Sequence, residues 1–403
     1  MLAVTVVVGS APAFGHAELV MTSPRDGQRL TGAPRSVVLV FSEPVDVVSG
    51  GFSLGLAGSG RPVRVGQPVR AGAQVRWPVL GGMPAGGYVV RWRVVSDDGH
   101  PVSGAFSFGV KARPGTVAPG PGAGWSWPVA AARALGYLGF AVLAGALALS
   151  WCWPAGRGSS RAASTLRAGL VTAVVGTALG LLLQGPYVAG VPAARLFDRT
   201  LLAEVAHSPS GAWMQLRLYL YLAAAAVLWP VGAVRVALNR RLAAVLTVGA
   251  AVTFSGTGHA AASGPAVDRV VDSVHVCCAG LWVGGLLTLV AVSWGRGEDR
   301  PGVEAFARFS RLALTSVLVL LITGIGNAVL RFGAVSQLWE STYGRILLVK
   351  LVLVAAALAG AAVSRQVLAG GEAPWRSVRF EAAVTVGILA VTSVLTLLAP
   401  PPG

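Results

Sequence analysis

The sequence predicts two units of different fold class: an all-β sandwich or barrel over residues 16–112, then a polytopic α-helical membrane unit of eight spans over residues 127–400. Three observations predict this. Only 12% of the residues are charged and the mean hydropathy is +0.68, whereas soluble domains carry roughly 25% charge, so most of the chain belongs in lipid. Residues 16–112 depart from that composition. Arg, Asp and Glu recur there among short alternating runs, "SVVLVF", "YVVRWRVV" and "GAFSFGV", bounded by Pro and Gly, which is the pattern of half-buried strands. Beyond Trp125 the chain turns into apolar stretches, each long enough for a membrane helix.

Ahead of the β unit, residues 2–13 read "LAVTVVVGSAPA", an apolar run too short to span a bilayer. Ala13-Phe14-Gly15 has the small-x-small form of a signal-peptidase site, so residues 1–15 are read as a signal peptide whose removal makes His16 the first residue. No Lys or Arg precedes Arg25, so the usual basic start of a leader is missing. An uncleaved anchor is the other reading, and the shortness of the run weighs against it. After the β unit, residues 113–126 form a Pro/Gly linker, "RPGTVAPGPGAG" and its continuation, of the extended, semi-rigid kind.

The eight spans fall at about 127–151, 166–187, 213–234, 242–260, 270–294, 312–332, 344–364 and 379–399. Connections after the odd-numbered spans hold Arg157, Arg161, Arg235, Arg240, Arg241, Arg296, Arg300, Arg308, Arg311, Arg365 and Arg376. The others hold mainly Arg195, Arg199 and Arg269. By the positive-inside rule the first set is cytoplasmic, which makes this a multi-pass protein of the cytoplasmic membrane with its β unit outside. The net charge of +16 is then topology signal and contact with anionic membrane lipid, and no basic patch interleaved with aromatics points to nucleic acid.

On that map all five histidines lie on the outer side: His16 and His100 in the β unit, His207 after the second span, His259 ending the fourth and His275 beginning the fifth. Imidazole is the commonest protein metal ligand. In "SDDGHPVSGAF", Asp98 and His100 are two apart and project to one face of a strand or its entering turn. Together with the free amino group and imidazole of His16 they make a nitrogen and oxygen donor set that suits Cu(II). Asp98-Gly99 is also an ordinary turn dipeptide, and His100 before Pro101 an ordinary turn residue. In the membrane unit, His259, Asp272 and His275 form a second candidate copper site, for Cu(I) or Cu(II). Asp272 and His275, three apart, share a helix face where ionisable groups are costly unless they bind something or line a cavity. The alternative pairs Asp272 with Arg269 and makes His275 an interhelical hydrogen-bond donor. Cys277 and Cys278 are either soft ligands or packing, whereas Cys152 lies at the far end of the first span. Lys350 and Glu381 read as either an ion pair or steps on an ion path.

The stretches "HAELVMTSPRDGQRL", "APRSVVLVFSEPV" and "YVVRWRVVSDDGHPVSGAFSFGV" resemble the CopC family of periplasmic copper-binding proteins. That resemblance implies a Greek-key β-sandwich in which the mature amino-terminal His, with the Asp and His of the D-G-H motif, binds Cu(II): here His16, Asp98 and His100. The Met-rich segment that gives some family members a Cu(I) site is absent, since only Met21 and Met83 occur in this unit. Residues 127–399 are similar to the CopD family of inner-membrane copper proteins through "SGTGHAA", "DSVHVCCAGLWVGGL", "RFSRLAL", "TGIGNAVL" and "TYGRILLVKLVLV". This resemblance implies copper import or delivery across the membrane.

The expectation is therefore a copper carrier and not an enzyme, taking copper outside and passing it to the membrane unit for uptake or for a membrane cuproprotein. No nucleotide-binding loop is present to power transport. Two other classes remain open. His-paired spans would ligate haem in an electron-transfer protein that reduces copper. An amino-terminal histidine brace would make an oxidative enzyme, although Asp98 in an equatorial position argues against it.

Overall fold

The structure is a computed structural model and describes residues 17, 19–96, 101–115, 126–189, 191, 193–228, 236–257, 266–293, 300–331 and 336–398. The β unit holds β1 (Leu19–Ser23), β2 (Arg29–Leu30), β3 (Ser36–Phe41), β4 (Val45–Leu56), β5 (Val69–Ala71), β6 (Gln74–Pro78), β7 (Gly86–Ser96) and β8 (Pro101–Val110). They form two four-stranded sheets, ordered β1-β3-β6-β5 and β2-β8-β7-β4. The run "SVVLVF" is β3 residue for residue, and its alternation turns Val37, Leu39 and Phe41 into the core while their neighbours face out. Aromatic pairs join the sheets across one core: Phe52 of β4 stacks on Trp77 of β6 at 4.2 Å, and Phe41 of β3 meets Trp92 of β7 edge-on at 5.3 Å. β7 and β8 pair in unbroken register from Gly86–Val110 to Val95–Pro101.

The second unit is helical: α1 (Ser126–Cys152), α2 (Ser160–Ala189), α3 (Arg199–His207), α4 (Pro209–Leu228), α5 (Val236–Ser255), α6 (Ala266–Val292), α7 (Val303–Arg331), α8 (Gln337–Glu340), α9 (Thr342–Ala369) and α10 (Trp375–Leu395). The described part of each expected span falls on one long helix. Among the described residues seven helices are long and apolar enough to cross a membrane, namely α1, α2, α4, α6, α7, α9 and α10. The fourth expected span, α5, is not among them. Part of that expected span, residues 258–260, lies outside the described residues. Two short helices were not expected. α3 starts at Asp198, whose carboxylate accepts from the Thr200 N–H and pairs with Arg195 at 2.5 Å; the Arg195 hydrogen bond and then that N–H hold the Asp198 carboxyl below the usual carboxylate range. α8 ends where Ser341 caps α9 through the Gly344 N–H.

α1 is central because small residues let its neighbours approach. A Cβ on Gly145 would stand 1.9 Å from the backbone of Gly284 on α6, and one on Gly176 of α2 would stand 2.3 Å from Gly136. α4 and α5 are joined by a buried cation. Arg217 donates through Nε to Thr253 Oγ1 at 2.8 Å and through Nη2 to the Thr253 carbonyl at 2.8 Å and Thr257 Oγ1 at 3.0 Å, with its guanidinium 3.6 Å above the Phe254 ring. Thr253 lies in the last turn of α5, so Arg217 satisfies a helix-end carbonyl and sits at the negative end of that helix dipole. The two units also touch. Arg93 Nη2 on β7 donates to the carbonyl of Tyr187 in the last turn of α2.

Candidate metal centre

In the β unit, His16, Asp98 and His100 all lie outside the described residues; the residues that flank them do not. Ala17 is 1% exposed, and its N–H donates to Ser96 Oγ at 3.0 Å across 79 positions of sequence. Ser96, 2% exposed, passes its own hydroxyl proton to the Glu43 carboxylate. Asp98 stands two residues beyond Ser96, and the four positions 97–100 connect the hairpin strands β7 and β8, which remain paired up to Val95–Pro101.

In the membrane unit Asp272 and His275 are described and half-buried on α6, and His259 lies outside the described residues. His275 Nδ1 is 2.7 Å from Thr323 Oγ1 of α7. Thr323 Oγ1 is also 2.7 Å from the Val319 carbonyl, and when its single proton goes there the hydroxyl accepts from His275 Nδ1–H. In the neutral ring Nε2 then carries the lone pair that a metal would use. Gly324 lies against the same ring, a Cβ there standing 3.7 Å from His275 Cε1. Thr323 was not singled out in the sequence; its only signal is the hydroxyl heading "TGIGNAVL" inside an apolar span.

α5 and α6 are neighbours at this end, with Ser255 Oγ 3.2 Å from Ser273 Oγ. The described approach to His259 is Thr257, held by Arg217. His275 is two residues beyond Ser273, about 200° further round the helix, so it faces α7 while Ser273 faces α5. Asp272 lies on the arc between them. Cys277 packs with the apolar cluster around Phe140 and Phe254, and Cys152, Cys277 and Cys278 are free thiols. His207 ends α3, its Nδ1 2.7 Å from the Ala203 carbonyl. Among the described residues no group of three or more His, Cys, Asp or Glu is placed to hold a metal ion.

Three protein families match successive parts of the chain: the CopC domain over residues 19–111, the copper resistance protein D-like N-terminal domain over 124–267, and copper resistance protein D over 303–395. Copper resistance protein C of Escherichia coli is 36% identical over 107 residues, 25% of this chain and 84% of that one. The chain belongs to the CopC/CopD copper resistance family. Other CopC/CopD relatives extend the likeness into the membrane unit. The copper transport protein CutJ of Bacillus subtilis (strain 168) is 26% identical over 425 residues, covering 96% of this chain and 75% of that one. The inner membrane protein YebZ of Escherichia coli (strain K12) is 29% identical over 174 residues, 40% of this chain and 60% of that one. Among solved structures, CopC from Methylosinus trichosporium OB3b is 27% identical and covers 25% of this chain and 100% of its own, with a TM-score of 0.21. As a CopC/CopD chain with seven long apolar helices among its described residues, this is a multi-pass membrane protein of copper homeostasis.

Proposed function

We propose that the chain captures Cu(II) outside the cytoplasmic membrane and hands copper to its own membrane unit for import or for delivery to a membrane cuproprotein. In this reading residues 1–15 are a signal peptide, 16–112 a Greek-key sandwich, 113–126 a linker and 127–400 a membrane unit whose α5 serves as the eighth span. The arginine-rich connections face the cytoplasm. The amino group and imidazole of His16, the Asp98 carboxylate and the His100 imidazole bind Cu(II) as a nitrogen and oxygen square.

The observation that carries this is the buried Ala17–Ser96 hydrogen bond, which ties the segment led by His16 to the strand that leads into Asp98 and His100. Two further contacts favour a handover. Arg93 fastens the sandwich to the end of α2, and Thr323 fixes the His275 ring with Nε2 as its basic nitrogen. His275 receives the ion with Asp272 beside it and His259 contributing from the α5 side. Copper accumulation in cells tests the route. His259→Ala and His275→Ala are each expected to abolish the copper-dependent gain while leaving Cu(II) binding by the sandwich intact. Normal accumulation in the double variant, present at wild-type level in the membrane, would contradict the acceptor role.

A further inference from the structure

Glu381 is a buried carboxyl for which the copper route has no use. It stands in the second turn of α10, 3% exposed, against α9. Gly360 of α9 leaves it room, since a Cβ there would lie 2.8 Å from Glu381 Cγ. It is not the partner of Lys350. Glu381 Oε1 is 2.5 Å from Ser364 Oγ, and Ser364 lies fourteen residues, roughly 21 Å, along α9 from Lys350.

Ser364 does not end the chain of hydroxyls. Its Oγ is 2.7 Å from Ser377 Oγ, which is 3.1 Å from the Pro374 carbonyl. Ser377 lines an open groove of about 370 Å³ together with Gly360, Val363, Arg376 and Phe380. A continuous path of hydrogen-bonded oxygens therefore runs from the Pro374 carbonyl at the α9–α10 turn to the buried carboxyl. Each serine has one proton to give. With Glu381 protonated, the bonds run Glu381 to Ser364 to Ser377 to the Pro374 carbonyl. With Glu381 ionised, they run Ser377 to Ser364 to Glu381. Both arrangements satisfy every hydroxyl, so the chain holds either charge state and reverses direction between them.

The surrounding charges are few. Arg365 of α9 and Arg376 and Arg379 of α10 are exposed cations near this end. α1 and α6 pack on the same face of α10, and neither Leu138–Trp151 nor Gly280–Val292 contains an Asp, Glu, His, Lys or Arg. Glu372 in the α9–α10 turn, Arg300 over the Trp375 ring, Cys152 at the foot of α1, and Glu304, Arg308 and Arg311 of α7 are further titratable groups at this end among the described residues. No carboxylate–cation pair is formed by Glu381 with any of them.

We propose that Glu381 is a proton-binding site of the membrane unit, exchanging its proton at the α9–α10 turn through Ser364 and Ser377. Loading is a concerted shift. A hydronium at the α9–α10 turn gives a proton to Ser377, Ser377 gives its own to Ser364, and Ser364 gives its own to the carboxylate. The serines end neutral and the carboxyl loses one negative charge. This does not depend on where copper binds.

Infrared spectroscopy of the full-length protein in lipid tests it, following the carbonyl stretch of protonated carboxylic acids from about pH 5 to about pH 9. The expected result is a band that grows on acidification and is missing in Glu381→Gln. In Ser364→Ala the band shifts in frequency, because the hydrogen bond is lost. In Ser377→Ala it stays in place but exchanges with deuterium more slowly. Indistinguishable pH-difference spectra for wild type and Glu381→Gln would overturn the proposal. Should Glu381→Gln fail to insert, an unshifted band in Ser364→Ala would overturn it equally.

Discussion

The backbone N–H of Ala17 ends on the hydroxyl of Ser96, 3.0 Å away, in a place where both residues are almost fully buried. Ser96 in turn donates to Glu43. This small polar chain holds the segment that follows His16 against the end of β7, and in the proposed site it would bring that histidine and the hairpin D-G-H to one ion.

Ser96→Ala would leave the Ala17 N–H buried without an acceptor and the Glu43 carboxylate short of a donor. The sandwich is expected to lose about 1–3 kcal/mol of stability, read from denaturant unfolding. Its Cu(II) affinity should fall as well, although no proposed ligand has been touched. Unchanged affinity would separate the polar chain from the copper site.

Thr323→Val keeps the shape of the side chain and removes the acceptor for His275 Nδ1–H. Losing such an orienting bond typically costs about ten- to a hundred-fold in metal affinity, so copper accumulation should fall clearly. Thr323→Ser restores the hydroxyl and should restore accumulation. Equal behaviour of the Val and Ser variants would show that the hydroxyl does not act through His275.

Arg217→Met should destabilise the solubilised protein by about 2 kcal/mol or more, because charged hydrogen bonds to Thr253 and Thr257 are lost from a buried place. Arg217→Lys should not rescue it, since one ammonium cannot reproduce the planar fork that reaches both threonines while lying on Phe254. Thermal unfolding followed by tryptophan fluorescence decides the point.

Strands and long helices were legible because their signals are local. The alternation of "SVVLVF" sets β3 by itself, and an apolar run such as Thr342–Ala369 has no other stable form in lipid. The short helix α3 escaped notice although Asp198 and the spacing of Leu201 and Val205 mark it, since a polar connection between spans invites a reading as plain loop. What sequence could not show is pairing. Thr323 is 48 residues from His275, and a hydroxyl within a span reads equally well as a bond to its own helix. Lys350 and Glu381 read equally as an ion pair or as steps on an ion path until Ser364 fixed the height of the carboxyl and set the pair aside. Arg217, a lone cation in an apolar run, was a signal available in the sequence whose meaning depended on the end of α5 lying beside it.

The central claim is that the amino group of His16 is itself a copper ligand. It is tested most directly by chelator competition on two forms of the sandwich, which has its own core: one beginning at His16 and ending at Lys111, the other extended by a single amino-terminal Met. The extension converts the amine to an amide and removes one nitrogen donor without altering any side chain. The fragment beginning at His16 should bind one Cu(II) tightly and the extended one far more weakly. Equal affinity of the two would contradict the account.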